Sequence, residues 1–136
     1  MKVKLESHAI APTRAHDTDA GLDLYSPTTE ILRANEGVNI RTGVHAQIPH
    51  GCAGLLVSKS GLNTKYGVTS TGLIDEGYTG EIVVRVQNHG KTPLLIGRGD
   101  KISQLVIIPV RYEPVEVVDE IEGGERGEDG FGSTGK

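Results

Sequence analysis

The sequence has no tryptophan, one phenylalanine, one cysteine and one methionine among its 136 residues. Aromatic residues make up only 4% of the chain, so its core has to be built from Val, Ile and Leu. With Cys52 alone no internal disulfide can form, and the chain suits a reducing compartment. Cys52 itself is expected to be a small buried apolar residue. Long apolar runs are missing too. The run from Leu105 to Val110 is too short to cross a bilayer, and MKVKLESHAIAPTRAHDTDAG lacks the apolar centre of a signal peptide. The expectation is a cytoplasmic protein with no membrane contact. A surplus of positive charge is also absent, the formal net charge being −4. That argues against direct nucleic-acid binding, but a small polyanion needs only a local cluster of donors.

What the chain does have is short apolar runs of period two. Val3 and Leu5 alternate with lysines, and Val38 and Ile40 with polar neighbours. Val44, Ala46 and Ile48 follow, then Ile82, Val84 and Val86 on one face of EIVVRVQN. Val106 and Ile108 are expected to share a face, and Val115, Val117 and Val118 to form a further strand. β-Branched residues dominate, and Gly, Pro, Asn or Asp separates the runs. No long stretch carries a helical stripe; Ser60–Lys65 has room for one short turn. The pattern predicts an all-β jelly-roll domain over residues 1–120. Residues 121–136 form a glycine-rich tail, with six of the 19 glycines. Such a tail is expected to be a mobile C-terminal arm.

Several stretches carry groups suited to a phosphate or a base. In the tail, Arg126 supplies a planar charged fork, Ser133 and Thr134 supply hydroxyls, and Gly132 leaves its amide unobstructed. Phe131 offers a face for a nucleobase to stack on. On composition alone, a solvated terminus is the plainer reading. Ser58, Lys59, Ser60 and Gly61 could make a second phosphate cradle without the Walker spacing, though on these residues alone a surface turn is the plainer reading. In TGLIDEGYTGEI, glycines punctuate a hairpin; Asp75 is either a turn residue or a general base, and Tyr78 could form a flat wall. Asp23 alternates with Leu22 and Leu24, which puts it on the polar face of a strand, open to solvent or to a water-bound Mg²⁺. Gln104 sits inside a strand, where its amide needs partners. The histidines have no zinc spacing.

Taken together and in order, these stretches resemble the five motifs of the trimeric dUTPases. Ala20-Gly21-Leu22-Asp23-Leu24 resembles the first motif, and Ser58-Lys59-Ser60-Gly61-Leu62 the second. Gly72-Leu73-Ile74-Asp75-Glu76-Gly77-Tyr78-Thr79-Gly80 resembles the third. Gly99-Asp100-Lys101-Ile102-Ser103-Gln104 resembles the fourth, and Arg126 to Gly135 the fifth. Lys59 and Lys101 depart from the arginines common in the family, and Ser103 from its common alanine. The resemblance implies a distorted jelly roll (β-clip) assembled as a homotrimer with sites between subunits. It also implies Mg²⁺-dependent hydrolysis of dUTP to dUMP and pyrophosphate, which keeps uracil out of DNA and supplies dUMP for dTMP synthesis. By position, Asp75 would activate water, and Gly72, Leu73 and Ile74 would meet uracil. Tyr78 would pack on the deoxyribose. Ser58, Lys59, Ser60, Gly61 and Gln104 would meet phosphates, and Asp23 would hold Mg²⁺ through water. Arg126, Gly132, Ser133 and Thr134 would clamp the γ-phosphate, with Phe131 over the base. A dCTP deaminase of the same fold, or a nucleotide-switched module that binds a regulatory protein, are the alternatives.

Overall fold

A computed structural model describes residues 1–123. Its strands are β1 (Val3–Leu5), β2 (Gly21–Tyr25), β3 (Glu30–Leu32), β4 (Gly37–Arg41), β5 (Val44–Ala46), β6 (Cys52–Val57), β7 (Val68–Ile74), β8 (Val83–Asn88), β9 (Leu94–Ile96) and β10 (Lys101–Pro109). One helix, α1 (Ser60–Tyr66), lies between β6 and β7. Six strands form one curled antiparallel sheet in the order β2-β10-β6-β7-β8-β4. Two ribbons, β1-β5 and β3-β9, complete a jelly roll.

The core follows the alternation. Ile82, Val84 and Val86 are fully buried between exposed Val83 and Arg85, and Ile40, Val44, Ala46 and Ile48 pack with them. Burying such a side chain stabilises the fold by about 1.5–3 kcal/mol. Leu24 on β2, Leu56 on β6 and Leu105 on β10 close the same core.

Val106 and Ile108 share a face of β10, both half-buried, while Ile102 and Leu105 face the core with Ile107 packed against it. An irregularity in the pairing between Lys101 and Ser103 lets the adjacent Ile102 and Ser103 both be buried. Two expectations are corrected. Val115, Val117 and Val118 form no strand, and Val115 and Val117 are each 93% exposed. Alternation alone does not make a strand when no neighbour offers its backbone. Ser60–Lys65 is a complete helix through Tyr66 rather than one turn, with Gly67 accepting the left-handed cap at φ 66°. Cys52 is half-buried and unpaired on β6.

Candidate functional site

Between β7 and β8 the sheet opens. The two strands pair only from Val68–Ser70 to Asn88–Val86. Beyond that point Thr71–Ile74 pairs with β6, while Val83–Gln87 pairs with β4. The expected hairpin therefore splays, and the gap is a cavity of about 320 Å³. Leu73, Ile74, Asp75, Tyr78, Glu81 and Val83 line it. Its size is at the lower end for small-molecule sites.

A tight turn closes its rim. The Tyr78 amide donates to the Asp75 carbonyl at 3.2 Å, and Gly77 supplies the φ of 85° that this turn requires. Three carboxylates surround the turn, and two are engaged. Glu81 accepts from the Gly43 amide at 2.8 Å and pairs with Arg41 at 2.5 Å. Glu76 accepts from the Gly51 amide at 2.9 Å and the Tyr112 hydroxyl at 2.7 Å, and pairs with His50 at 2.6 Å. The hydrogen bond from His50 above all, then those from Tyr112 and Gly51, lowers the Glu76 pKa from 4.5 to about 2. Asp75 is exposed, and its carboxylate bonds to none of the described residues. Its oxygens are thus available to a water or a ligand.

The second cluster lies on the other flank of β7, where β2, β10 and β6 meet. Asp23 is buried, not on a solvent face as its alternation suggested. Its Oδ1 accepts from Lys59 Nζ at 2.6 Å and its Oδ2 pairs with Lys101 Nζ at 2.7 Å. Burial disfavours the carboxylate charge, but the bonds from Lys101 and Lys59 outweigh it and hold the pKa below the usual range. Asp23 in turn raises the pKa of Lys101. The single chain therefore offers two ammonium groups here, and no carboxylate open to a divalent cation. Gln104 satisfies its amide by donating to the Ser58 carbonyl at 3.2 Å, and it lies over Gly21, where any Cβ would come within 2.7 Å of its oxygen. A glycine at 21 is what lets the amide fit.

Hydroxyls complete this cluster, of which Ser70 was not singled out in the sequence. Ser70 donates to Ser103 at 2.9 Å, and Ser103 to the Val57 carbonyl at 3.1 Å. Both serines are buried. The serine at 103 is tolerated because Ser70 and Val57 meet its hydroxyl. Ser58 donates to the Ser70 carbonyl at 3.1 Å and accepts from the Ser70 amide at 2.9 Å, which ties the second motif to β7. Ser60 and Gly61 open α1, whose start has no side-chain cap.

The structure does not bring these two clusters together. Ser70, beside Ser58, lies within β7 and Asp75 just past its end, about 17 Å apart along the chain at 3.3 Å per residue. Arg126, Phe131, Gly132, Ser133 and Thr134 lie outside the described residues. Glu76, Tyr112 and His50 escaped the sequence reading because no local pattern announces a bond between positions so far apart in the chain.

An all-β jelly roll with an apolar cleft, one available carboxylate at its rim and a separate pair of cations has the parts of a nucleotide-binding enzyme of the β-clip class. The dUTPase family model matches residues 7–135, and the chain belongs to that family. It is 42% identical over 135 residues to the deoxyuridine 5'-triphosphate nucleotidohydrolase of Clostridium acetobutylicum, covering 97% of this chain and 93% of that one. Its identity to the Clostridium kluyveri enzyme of the same name is 43%, over 97% and 94% of the two chains. The dUTPase of Staphylococcus bacteriophage 80alpha, solved with dUpNHpp, superimposes with a TM-score of 0.88 at 35% identity, over 99% of this chain and 98% of that one. A dUTPase variant from phage phi11 of S. aureus, described with a structural Mg(II) ion, gives 0.81 at 32%, over 90% and 98%.

Proposed function

We propose that the chain hydrolyses dUTP to dUMP and pyrophosphate, with Asp75 as the general base. The observation that carries this reading is the cleft between β7 and β8. Of the carboxylates around its turn, only Asp75 has no partner among the described residues. Asp75 takes a proton from water as the water oxygen attacks the α-phosphorus. The bond from the α-phosphorus to the bridging oxygen breaks, and pyrophosphate leaves with that electron pair. A positioned carboxylate of this kind contributes about 10²–10⁴-fold. Leu73, Ile74 and the Gly72 backbone would receive uracil, and Tyr78 would lie against the deoxyribose.

Lys59, Lys101, Ser58, Ser60, Gly61 and Gln104 would hold phosphates, the ammoniums offsetting the charge of the leaving group. Asp23 does not fit as the direct holder of Mg²⁺ while both its oxygens face lysines. Triphosphate oxygens are good Mg²⁺ ligands, so the ion would arrive with dUTP as part of the substrate. Because Asp75 and the cations are far apart in one chain, a complete site needs Asp75 of one copy beside the lysines of another. That supports the homotrimer, as do the bare valines at 115 and 117, whose exposure suits contact with a second chain. Residues 1–120 would be the catalytic domain. The arm of 121–136, with Arg126, Phe131, Gly132, Ser133 and Thr134, would close over the nucleotide. The products would feed dTMP synthesis and keep uracil out of DNA.

The test is pyrophosphate release from dUTP with and without added Mg²⁺. Asp75→Asn should bind dUTP and lose about 10²–10⁴-fold in turnover. Turnover close to that of the unaltered enzyme would remove Asp75 as the base. Ammonia released from dCTP would point instead to a deaminase.

A further inference from the structure

Asp75 sits on an exposed turn and its carboxylate has no bond to the described residues, yet a general base must be positioned against its water to within a few tenths of an ångström. The next residue supplies the missing restraint. Glu76 points away from the cleft and takes three contacts from two other parts of the chain. The loop between β5 and β6 gives the Gly51 amide at 2.9 Å and His50 at 2.6 Å. The segment after β10 gives the Tyr112 hydroxyl at 2.7 Å. Those two parts are themselves joined, the Val110 amide donating to the Gly51 carbonyl at 2.9 Å. The ring so closed runs from the turn to the loop, to the segment after β10, and back to the turn. His50 is 94% exposed, so its pair adds little by itself; the Gly51 and Tyr112 bonds carry the restraint.

We infer that Glu76 is a positioning residue for the reaction: its carboxylate, held by the Gly51 amide and the Tyr112 hydroxyl, fixes the turn that aims Asp75 into the cleft. The inference rests on Asp75 being the base. Its effect is on kcat rather than on substrate binding, because Glu76 faces away from the walls that would receive the nucleotide.

The experiment measures kcat and KM for dUTP, together with thermal stability, for Glu76→Ala, Glu76→Gln, Tyr112→Phe and the pair Glu76→Ala/Tyr112→Phe. Asp75→Asn runs alongside. Glu76→Ala should lower kcat by about 10-fold or more and leave KM within about 2-fold. Glu76→Gln keeps an oxygen for Gly51 and Tyr112 and should recover much of that loss. Tyr112→Phe, a mild change on an exposed ring, should lower the same parameter by less, and adding it to Glu76→Ala should change nothing further. Unaltered kcat in Glu76→Ala, a loss confined to KM, or a loss that tracks unfolding and is not rescued by Gln would overturn the inference. If Glu76→Ala fails to fold, unaltered kcat in Tyr112→Phe does the same. An inactive Asp75→Asn beside fully active Glu76 variants rejects the positioning role alone. An active Asp75→Asn rejects the base and the positioning role with it.

Discussion

At the scale of single residues, charges with partners set most of what can be measured. The Glu76 pKa falls from 4.5 to about 2 on folding. A carboxylate lowered in this way adds stability above its unfolded value, and that stability disappears as the pH falls towards the folded one. Thermal melts should therefore lose more stability between pH 4.5 and 2 in the native chain than in Glu76→Gln; equal slopes would contradict the bond network. Tyr78 allows a second test. A ring that rejects ribose by bulk should, when cut to alanine, narrow the preference for dUTP over UTP mainly by harming dUTP. Unchanged discrimination in a competition assay would place the sugar gate elsewhere. The turn that carries Asp75 and Tyr78 was legible because glycines and apolar neighbours frame it in a short stretch. The environment of Asp23 was not. Its alternation with two leucines is local, whereas Lys59 reaches it from the start of α1 and Lys101 from β10, and no pattern of period two encodes what sits across a sheet.

At the scale of elements, strands that put alternate apolar residues into the core, such as β4, β5 and β8, were legible, and so was β1, although its three residues are exposed. Ile82, Val84 and Val86 face a core that rewards alternation. Val115 and Val117 alternate equally well and have nothing to pair with among the described residues. The adjacent burial of Ile102 and Ser103 on β10 was not legible, because the register shift near Ser103 is a backbone irregularity with no side-chain signature. The pairing of β2 with β10 depends on Gly21, over which Gln104 folds. Gly21→Ala would push a methyl against that amide and break its bond to Ser58. We expect a loss of about 1–3 kcal/mol in chemical denaturation, as for other overpacked sites. A neutral effect would show that Gln104 can move aside.

At the scale of the whole molecule, the separation of Asp75 from the lysines predicts that activity depends on assembly. Val115→Asp with Val117→Asp should shift sedimentation towards a smaller species and abolish turnover together. Full activity in a monomer would refute the shared site. One feature of the sheet bears on how the chain reaches this state. β10 is the hub of the cation cluster, yet its neighbours β2 and β6 come from early in the chain, and Leu22 must find Leu105 directly opposite. Closing such long loops costs entropy before any contact offsets it, so proteins of this topology fold in milliseconds to seconds rather than microseconds. β7 and β8 pair from Ser70 to Val86 across a shorter span of chain and can form first. The turn that bears the base still waits for Tyr112, which follows β10, so refolding measured by catalysis should lag behind refolding measured by β-sheet signal.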